Sequence, residues 1–214
     1  MINIKQFVFS PFMENTYVVY DNNKNAAIID PGCYEGYEQD ELVNFIKAEG
    51  LNVTQLINTH CHIDHVLGNA FVKDKFGVEL YMHEKDLPTL EAVPTYSAAY
   101  GFANYQPSQP DHFLKEGDTH KIGDIEFKVL FLPGHAPGHI GFMNEAEKVF
   151  IGGDVLFDGS IGRTDLPGGD HDTLISSIQN KLFKYHDDVK VYCGHGPETT
   201  LGKEKVSNPF CAIK

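Results

Sequence analysis

Residues 60–65 read His-Cys-His-Ile-Asp-His, and no other six residues constrain this chain so strongly. The apolar segment 55–59 before them predicts a buried strand, and residues 66–71 after them can open a helix. Three imidazoles and a carboxylate therefore stand together at the carboxyl end of one strand. This concentration of nitrogen and oxygen ligands predicts a turn that binds metal.

The two ends of this run are expected to face two sites. Side chains alternate along extended backbone, so His60 and His62 point to the same side. Asp64 and His65 follow where the chain turns into the helix, and they can face a second site. A catalytic zinc takes about three protein ligands and keeps a position for water, so other segments must complete each site.

Three later segments each place one ligand-type residue among glycines, where backbone can approach closely. Each segment follows an apolar run that predicts a strand: residues 127–132, 148–151 and 189–192. The ligand-type residues are His135, Asp154 and His195. The arrangement of strand, glycine loop and ligand thus recurs along the chain.

This order of motifs resembles the metallo-β-lactamase superfamily. His-x-His-x-Asp-His is followed by Gly-His, Gly-Asp and Gly-His, and the similar spacing covers about residues 2–207. Within the superfamily, residues 159–165 (Gly-Ser-Ile-Gly-Arg-Thr-Asp) and 207–210 (Ser-Asn-Pro-Phe) resemble compact bacterial proteins of the hydroxyacylglutathione hydrolase, or glyoxalase II, type.

The resemblance implies a centre of two divalent metal ions, zinc before iron or manganese. The first ion would be bound by His60, His62 and His135, the second by Asp64, His65 and His195, with Asp154 bridging the two. Asp64 and Asp154 would be the carboxylates that take part in catalysis. Asp154 stands where many β-lactam-opening relatives carry Cys, and His62 stands where oxygen-reducing diiron relatives carry Glu.

The periodicity of the chain predicts an α/β protein. Strands are expected at 2–9, 16–20, 26–30, 55–59, 78–82, 119–122, 125–132, 139–143, 148–151 and 189–192, and helices at 37–49, 65–76 and 172–183. Residues 87–111 contain four prolines and are expected to form a long irregular insertion. The family fold is a four-layer αββα sandwich, expected here as a single domain over residues 1–214.

Composition restricts the partners. The chain has 30 acidic against 17 basic residues and a formal charge of −13, which disfavours binding to nucleic acid. It lacks an apolar run of the roughly 18 to 20 residues that a membrane span requires. Its four cysteines contain no Cys-x-x-Cys pair, and the N-terminus alternates like a strand rather than a secretion signal. These features favour a cytoplasmic enzyme with reduced thiols and a small-molecule substrate.

The ligand set favours hydrolysis of a thioester. Two metal ions would supply a bridging hydroxide at neutral pH to attack a carbonyl carbon. A thiol leaves as thiolate without a general acid, because its pKa is only about 8.5. S-lactoylglutathione or another hydroxyacyl thioester is the leading substrate. The alternatives are a persulfide dioxygenase with a single iron, which shares the Gly-Arg-Thr-Asp loop, and a non-enzymatic metal-binding protein.

Several residues outside the ligand set have two interpretations. Arg163, the only arginine, either pairs with a substrate carboxylate or forms an ion pair with Asp165 or Asp170. Lys203 and Lys205 either reach a glutathione carboxylate or are solvated. Asp30 and His139 either orient ligand imidazoles or serve as ordinary turn and core residues. Only residues 196–214 follow His195, too few for the C-terminal helical domain with which full-length glyoxalase II proteins bind glutathione.

Overall fold

The computed structural model describes residues 1–213 and divides into two compact units. The first unit comprises residues 1–114 and 121–126, and the second comprises residues 115–120 with the described chain from 127 onward. The described residues form two six-stranded sheets and a short separate hairpin.

The first sheet is mixed, with its strands in chain order. They are β1 (Asn3–Phe9), β2 (Glu14–Tyr20), β3 (Asn25–Ile29), β4 (Asn52–Ile57), β5 (Glu79–Met82) and β6 (His112–Phe113). The first three pair antiparallel and the rest pair parallel. The helices are α1 (Gly36–Glu49), α2 (Ile63–Val66), α3 (Asn69–Phe76) and α4 (Leu87–Tyr96).

Local sequence explains where α1 begins and which face it buries. Glu35 and Glu38 form a capping box, in which each side chain accepts a hydrogen bond from the other residue's backbone. Leu42, Val43 and Ile46 are buried at helical spacing. The helix therefore packs onto the core of the first unit through one apolar stripe.

The second sheet comprises β7 (Thr119–Ile122), β8 (Ile125–Phe131), β9 (Ile140–Asn144), β10 (Val149–Gly153), β13 (Lys190–Cys193) and β14 (Thr199–Thr200), and the separate hairpin is β11 (Leu156–Phe157) and β12 (Ser160–Ile161). The strands of the second sheet are not in chain order but in the order β14-β13-β10-β9-β8-β7. The α-helices of the second unit are α5 (His171–Asn180) and α6 (Leu201–Ser207). β10 and β13 pair parallel, so their carboxyl ends meet at one edge.

All ten strands predicted from the sequence are present, but two predictions about helices are wrong. Residues 87–96 are helical rather than irregular, because Pro88 stands in the first turn, where no backbone N–H is needed. The helix predicted over 65–76 is broken at Gly68, whose N–H donates to the carbonyl of Pro31 (2.7 Å). A Cβ at Gly68 would lie 2.6 Å from the sulfur of Cys33, so glycine allows this approach.

Two further features concern the cysteine side chains and the apolarity of the helices. Cys33, Cys61, Cys193 and Cys211 all lie in the described chain, where they are buried and form no disulfide with one another. Over residues 1–213, none of the helices has the length and apolarity that crossing a bilayer would take.

Candidate metal centre

The turn after β4 brings three imidazoles together in the first unit. His60 and His65 are buried, whereas His62 and Asp64 are partly exposed. The ring of His60 lies 4.9 Å from that of His62 and 4.1 Å from that of His65, between ring centroids. The three rings therefore lie side by side after β4, and the division of their side chains between two metal sites stays a prediction.

Asp30 is placed next to this turn by parallel strand pairing. The carboxyl ends of β3 and β4 meet, and the backbone N–H of Asp30 donates to the carbonyl of Ile57 (2.9 Å). Its carboxylate accepts hydrogen bonds from the N–H (2.7 Å) and the hydroxyl (2.6 Å) of Thr59, and lies 3.2 Å from His65 Nδ1. Asp30 also has φ of +51°, a left-handed conformation that non-glycine residues adopt at an energetic cost.

These contacts favour an orienting role for Asp30. Ligand atoms of Asp30, His60 and His65 lie within 4.8 Å of one another. However, both oxygens of Asp30 already accept hydrogen bonds from Thr59, and the residue faces Nδ1 of His65 rather than Nε2. Nε2 of His65 is instead 3.8 Å from Oδ2 of Asp64, so the metal-binding side of this ring faces Asp64.

Glu14 is a buried acid beside the same ring, and sequence reasoning missed it. Its Oε1 lies 4.0 Å from His65 Nδ1, and its Oε2 lies 2.9 Å from the hydroxyl of Thr16. Burial raises the pKa of Glu14 well above its usual range, although His65 acts in the opposite direction. The available signal was a lone acid at the start of the apolar strand β2.

Two further residues of the first unit lie near the ligand turn. The carboxylate of Asp86 accepts a hydrogen bond from the N–H of Cys61 (2.6 Å), which holds the backbone between His60 and His62. Tyr96, at the end of α4, lies near Asp64, and burial together with that carboxylate raises the pKa of Tyr96 to about 12. Neither residue belongs to a motif with recognisable spacing.

In the second unit, Asp154 lies between two imidazoles. The parallel ends of β10 and β13 are joined by a hydrogen bond from Gly194 N–H to the Gly153 carbonyl (2.8 Å). Oδ2 of Asp154 is 3.5 Å from Nε2 of His135 and 3.5 Å from Nε2 of His195. Two ligand atoms on one tetrahedral zinc are separated by about 3.3 Å, as follows from metal–ligand bonds of 2.0 to 2.1 Å.

The fit of the donor set to metal is supported by how the imidazoles are held. Nδ1 of His135 donates to the carbonyl of Arg163 (2.7 Å), which leaves the lone pair of Nε2 directed at the Asp154 side. Nδ1 of His60 contacts the hydroxyl of Thr59 (3.1 Å). Rings fixed through Nδ1 present Nε2 to an ion, the usual arrangement of metal-binding histidines.

His139 contacts the backbone of Asp154. It is buried, and its Nε2 accepts a hydrogen bond from the N–H of Asp154 (3.0 Å). The turn of residues 132–139 between β8 and β9 thus carries the candidate ligand His135 and also His139, which contacts a second candidate ligand, Asp154. A residue that orients Asp154 needs such a contact, so the geometry favours an orienting role for His139.

The three basic residues with a tentative substrate role lie beside acids of the second unit. Arg163 is exposed and forms a two-bond ion pair with Asp165, at 2.7 Å for each bond, which lowers the pKa of Asp165 to about 2. Lys203 pairs with Asp158, and Lys205 pairs with Asp187 (2.6 Å). Their role in substrate binding therefore stays a prediction.

The chain is similar to known proteins over its whole length. A family model described as the metallo-β-lactamase superfamily matches residues 10–195. The hydroxyacylglutathione hydrolase GloC of Haemophilus influenzae is 44% identical over 215 residues, covering 100% of both chains. Among solved structures, BLEG-1, a B3 metallo-β-lactamase, matches with a TM-score of 0.89 at 37% identity, covering 99% of this chain and 100% of that one.

A second solved structure bears on the metal. The di-iron-bound form of TTHA1623 matches with a TM-score of 0.86 at 36% identity, covering 96% of this chain and 99% of that one. The family model and these structures confirm the fold class predicted from the sequence.

Proposed function

The chain belongs to the metallo-β-lactamase superfamily and is a metallo-hydrolase of that fold, and we propose that it hydrolyses hydroxyacyl thioesters, with S-lactoylglutathione first. The observation that carries the proposal is the 44% identity to a hydroxyacylglutathione hydrolase across the full length of both chains. The substrate is then a small molecule, and we propose that the enzyme acts in the cytoplasm without nucleic-acid or membrane partners.

We propose two divalent ions with the ligand set that the family implies. These ligands are His60, His62 and His135 for one ion, Asp64, His65 and His195 for the other, and Asp154 for both. Zinc is the leading ion, and the di-iron form of TTHA1623 supports iron as the alternative. When bound, the ions supply a water of lowered pKa and polarise the substrate carbonyl.

Neighbouring residues of the chain hold the proposed ligands in fixed orientations. Asp30 fixes the ring of His65 through Nδ1, and the carbonyl of Arg163 does the same for His135. The N–H of Asp154 donates to Nε2 of His139, which fixes the backbone from which the carboxylate extends between two imidazoles. A thioester suits such a site because its leaving thiolate needs no proton donor.

A metal analysis followed by three assays on the same anaerobically purified sample tests the proposal. The substrates are S-lactoylglutathione, glutathione persulfide with oxygen, and a β-lactam. We expect about two metal ions per chain and rapid hydrolysis of the thioester only, which metal removal abolishes.

Two outcomes would contradict the proposal. A single iron per chain with oxygen consumption on the persulfide would identify a persulfide dioxygenase, which the Gly-Arg-Thr-Asp loop at 162–165 also resembles. Faster turnover of the β-lactam than of the thioester would place this chain with BLEG-1 in activity as well as in fold.

A further inference from the structure

Two motifs that the proposed function leaves without a role are joined in the second unit. They are the loop of residues 159–165 and the tail of residues 207–210, which lie more than forty positions apart in the sequence. Asn208 of the tail is buried, and its amide nitrogen donates to the carbonyl of Ser160 in the loop (3.0 Å). The terminal helix α6 is therefore tied to the loop by a side chain.

Asn208 uses its whole amide group. Its nitrogen also donates to Glu204 Oε2 (2.8 Å), and its Oδ1 accepts from the N–H groups of Phe210 (2.9 Å) and Cys211 (3.3 Å). The oxygen thus shapes the tail, whereas the nitrogen reaches the loop and α6. These two functions of one side chain can be separated by substitution.

Glu204 provides a second tie to the same loop. It is fully buried, and its Oε2 accepts a hydrogen bond from the N–H of Gly159 (3.0 Å). Its Oε1 accepts from the hydroxyl of Thr199 (2.6 Å). A carboxylate accepts all of these hydrogen bonds without needing a proton of its own, so the residue type matches its surroundings.

The far end of the loop lies against two candidate ligands. A Cβ on Gly162 would lie 2.0 Å from the carbonyl oxygen of Asp154 and 2.9 Å from Nδ1 of His135, so only glycine fits without displacement. The next carbonyl, that of Arg163, accepts the hydrogen bond from Nδ1 of His135 (2.7 Å). A shift of the loop would therefore turn the imidazole or break its hydrogen bond to this carbonyl.

We propose that Asn208 and Glu204 are positioning residues that hold the loop at 159–163 and, through the carbonyl of Arg163, set the tautomer and direction of the His135 ring. The tail of residues 207–210 would then affect the metal centre through the loop, without contacting a ligand directly. The orientation of the His135 ring can be measured without metal. The expected effect on metal affinity rests on the proposed function, in which His135 is a ligand.

The substitution Asn208→Asp separates the two sides of the amide. The aspartate keeps an oxygen for the N–H groups of Phe210 and Cys211. However, it has no more than one hydrogen where the amide nitrogen has two, so it cannot serve both Ser160 and Glu204. Ile178→Val in α5 is the control, since it removes a buried methyl group of the same unit and leaves the hydrogen bonds of Asn208 and Glu204 in place.

Two measurements test whether the tail controls the His135 ring. The first is the Nδ1–H resonance of His135 in the metal-free protein, assigned by its loss in His135→Gln and observed by nitrogen-15 NMR. We expect it to be sharp and protected from exchange in the wild type and in Ile178→Val, and lost in Asn208→Asp. The second is the zinc Kd by chelator competition, which we expect to weaken by about 10- to 100-fold in Asn208→Asp alone.

Gly162→Ala tests the loop independently of the tail. It leaves the contacts of Asn208 and Glu204 in place and should displace the carbonyl of Arg163, with the same loss of the His135 resonance. A retained resonance and an unchanged zinc Kd in both variants would overturn the inference. Both readouts are independent of any substrate, so a failure of the thioester assay would leave this result standing.

Discussion

The orienting role of Asp30 leads to a prediction that separates stability from metal affinity. In Asp30→Asn the side chain keeps its shape, and Oδ1 can still accept from the N–H of Thr59. The new amide nitrogen cannot accept from the hydroxyl of Thr59, and it faces Nδ1 of His65, which is a donor when Nε2 binds metal. The ring of His65 then loses its partner or turns.

The magnitudes follow from these contacts. A buried hydrogen bond to a charged group contributes about 1.5 to 3 kcal/mol, so the free energy of unfolding of the metal-free protein should fall by that amount. Loss of the partner of a metal-binding histidine weakens metal binding by about 10- to 100-fold. That factor corresponds to about 1.4 to 2.8 kcal/mol of binding free energy.

Asp21 offers a matched control in the same unit. It is equally buried, and its carboxylate accepts hydrogen bonds from the N–H groups of Asn25 (2.9 Å) and Asp124 (2.9 Å), away from the imidazoles. Urea denaturation of the metal-free variants and zinc competition should show lower stability for both Asp21→Asn and Asp30→Asn, and weaker zinc binding for Asp30→Asn alone. Equal zinc affinities in the two variants would refute the orienting role.

Three further predictions concern the ligand turn, the arginine and the thiols. His62→Ala should lower kcat/KM by several orders of magnitude with an unchanged circular dichroism spectrum, and turnover like the wild type by a metal-replete sample would remove His62 from the site. Arg163→Lys should change the free energy of unfolding by less than about 1 kcal/mol, because its pair with Asp165 is exposed; a KM that rises far more than kcat falls would show that Arg163 binds a substrate carboxylate. Burial raises the pKa of the Cys193 and Cys211 thiols to about 12, so Ellman's reagent at pH 8 should react with the cysteines only after denaturation, and rapid labelling of the native protein would contradict the buried geometry.

The three later candidate ligand loops were recognisable in the sequence because their signal is local. Each is a glycine-rich turn at the end of an apolar strand, and both features are read within about ten residues. Parallel pairing then brings the ends of β10 and β13 to one edge, which places Asp154 beside His195. The role of Asp30 could not be assigned from the sequence alone, because the pairing of β3 with β4 is what brings Thr59 to it.

Other features depend on contacts that no spacing encodes. Asn208 contacts Ser160 because α6 lies near the hairpin of β11 and β12. Neither sequence motif predicts this contact. The helix α4 was missed because its prolines suggested irregular structure, although Pro88 stands in its first turn and the helix continues through Pro94. Glu14 was missed because a buried acid in an apolar strand has meaning only once His65 lies next to it.

The central claim, hydrolysis of a thioester without a dedicated acid, is tested most directly by a matched series of substrates. The lactoyl thioester, oxygen ester and amide are compared by kcat/KM on one sample with verified metal content. A thiol has a pKa of about 8.5, and an alcohol lies close to the 15.7 of water, which is about 9 to 10 kcal/mol of leaving-group difference at 1.36 kcal/mol per unit. Even a fraction of that difference in the barrier gives more than about a hundredfold preference for the thioester over the oxygen ester, with the amide almost inert. Comparable rates for the amide and the thioester would contradict the account, because a residue of the protein would then have to protonate the leaving group.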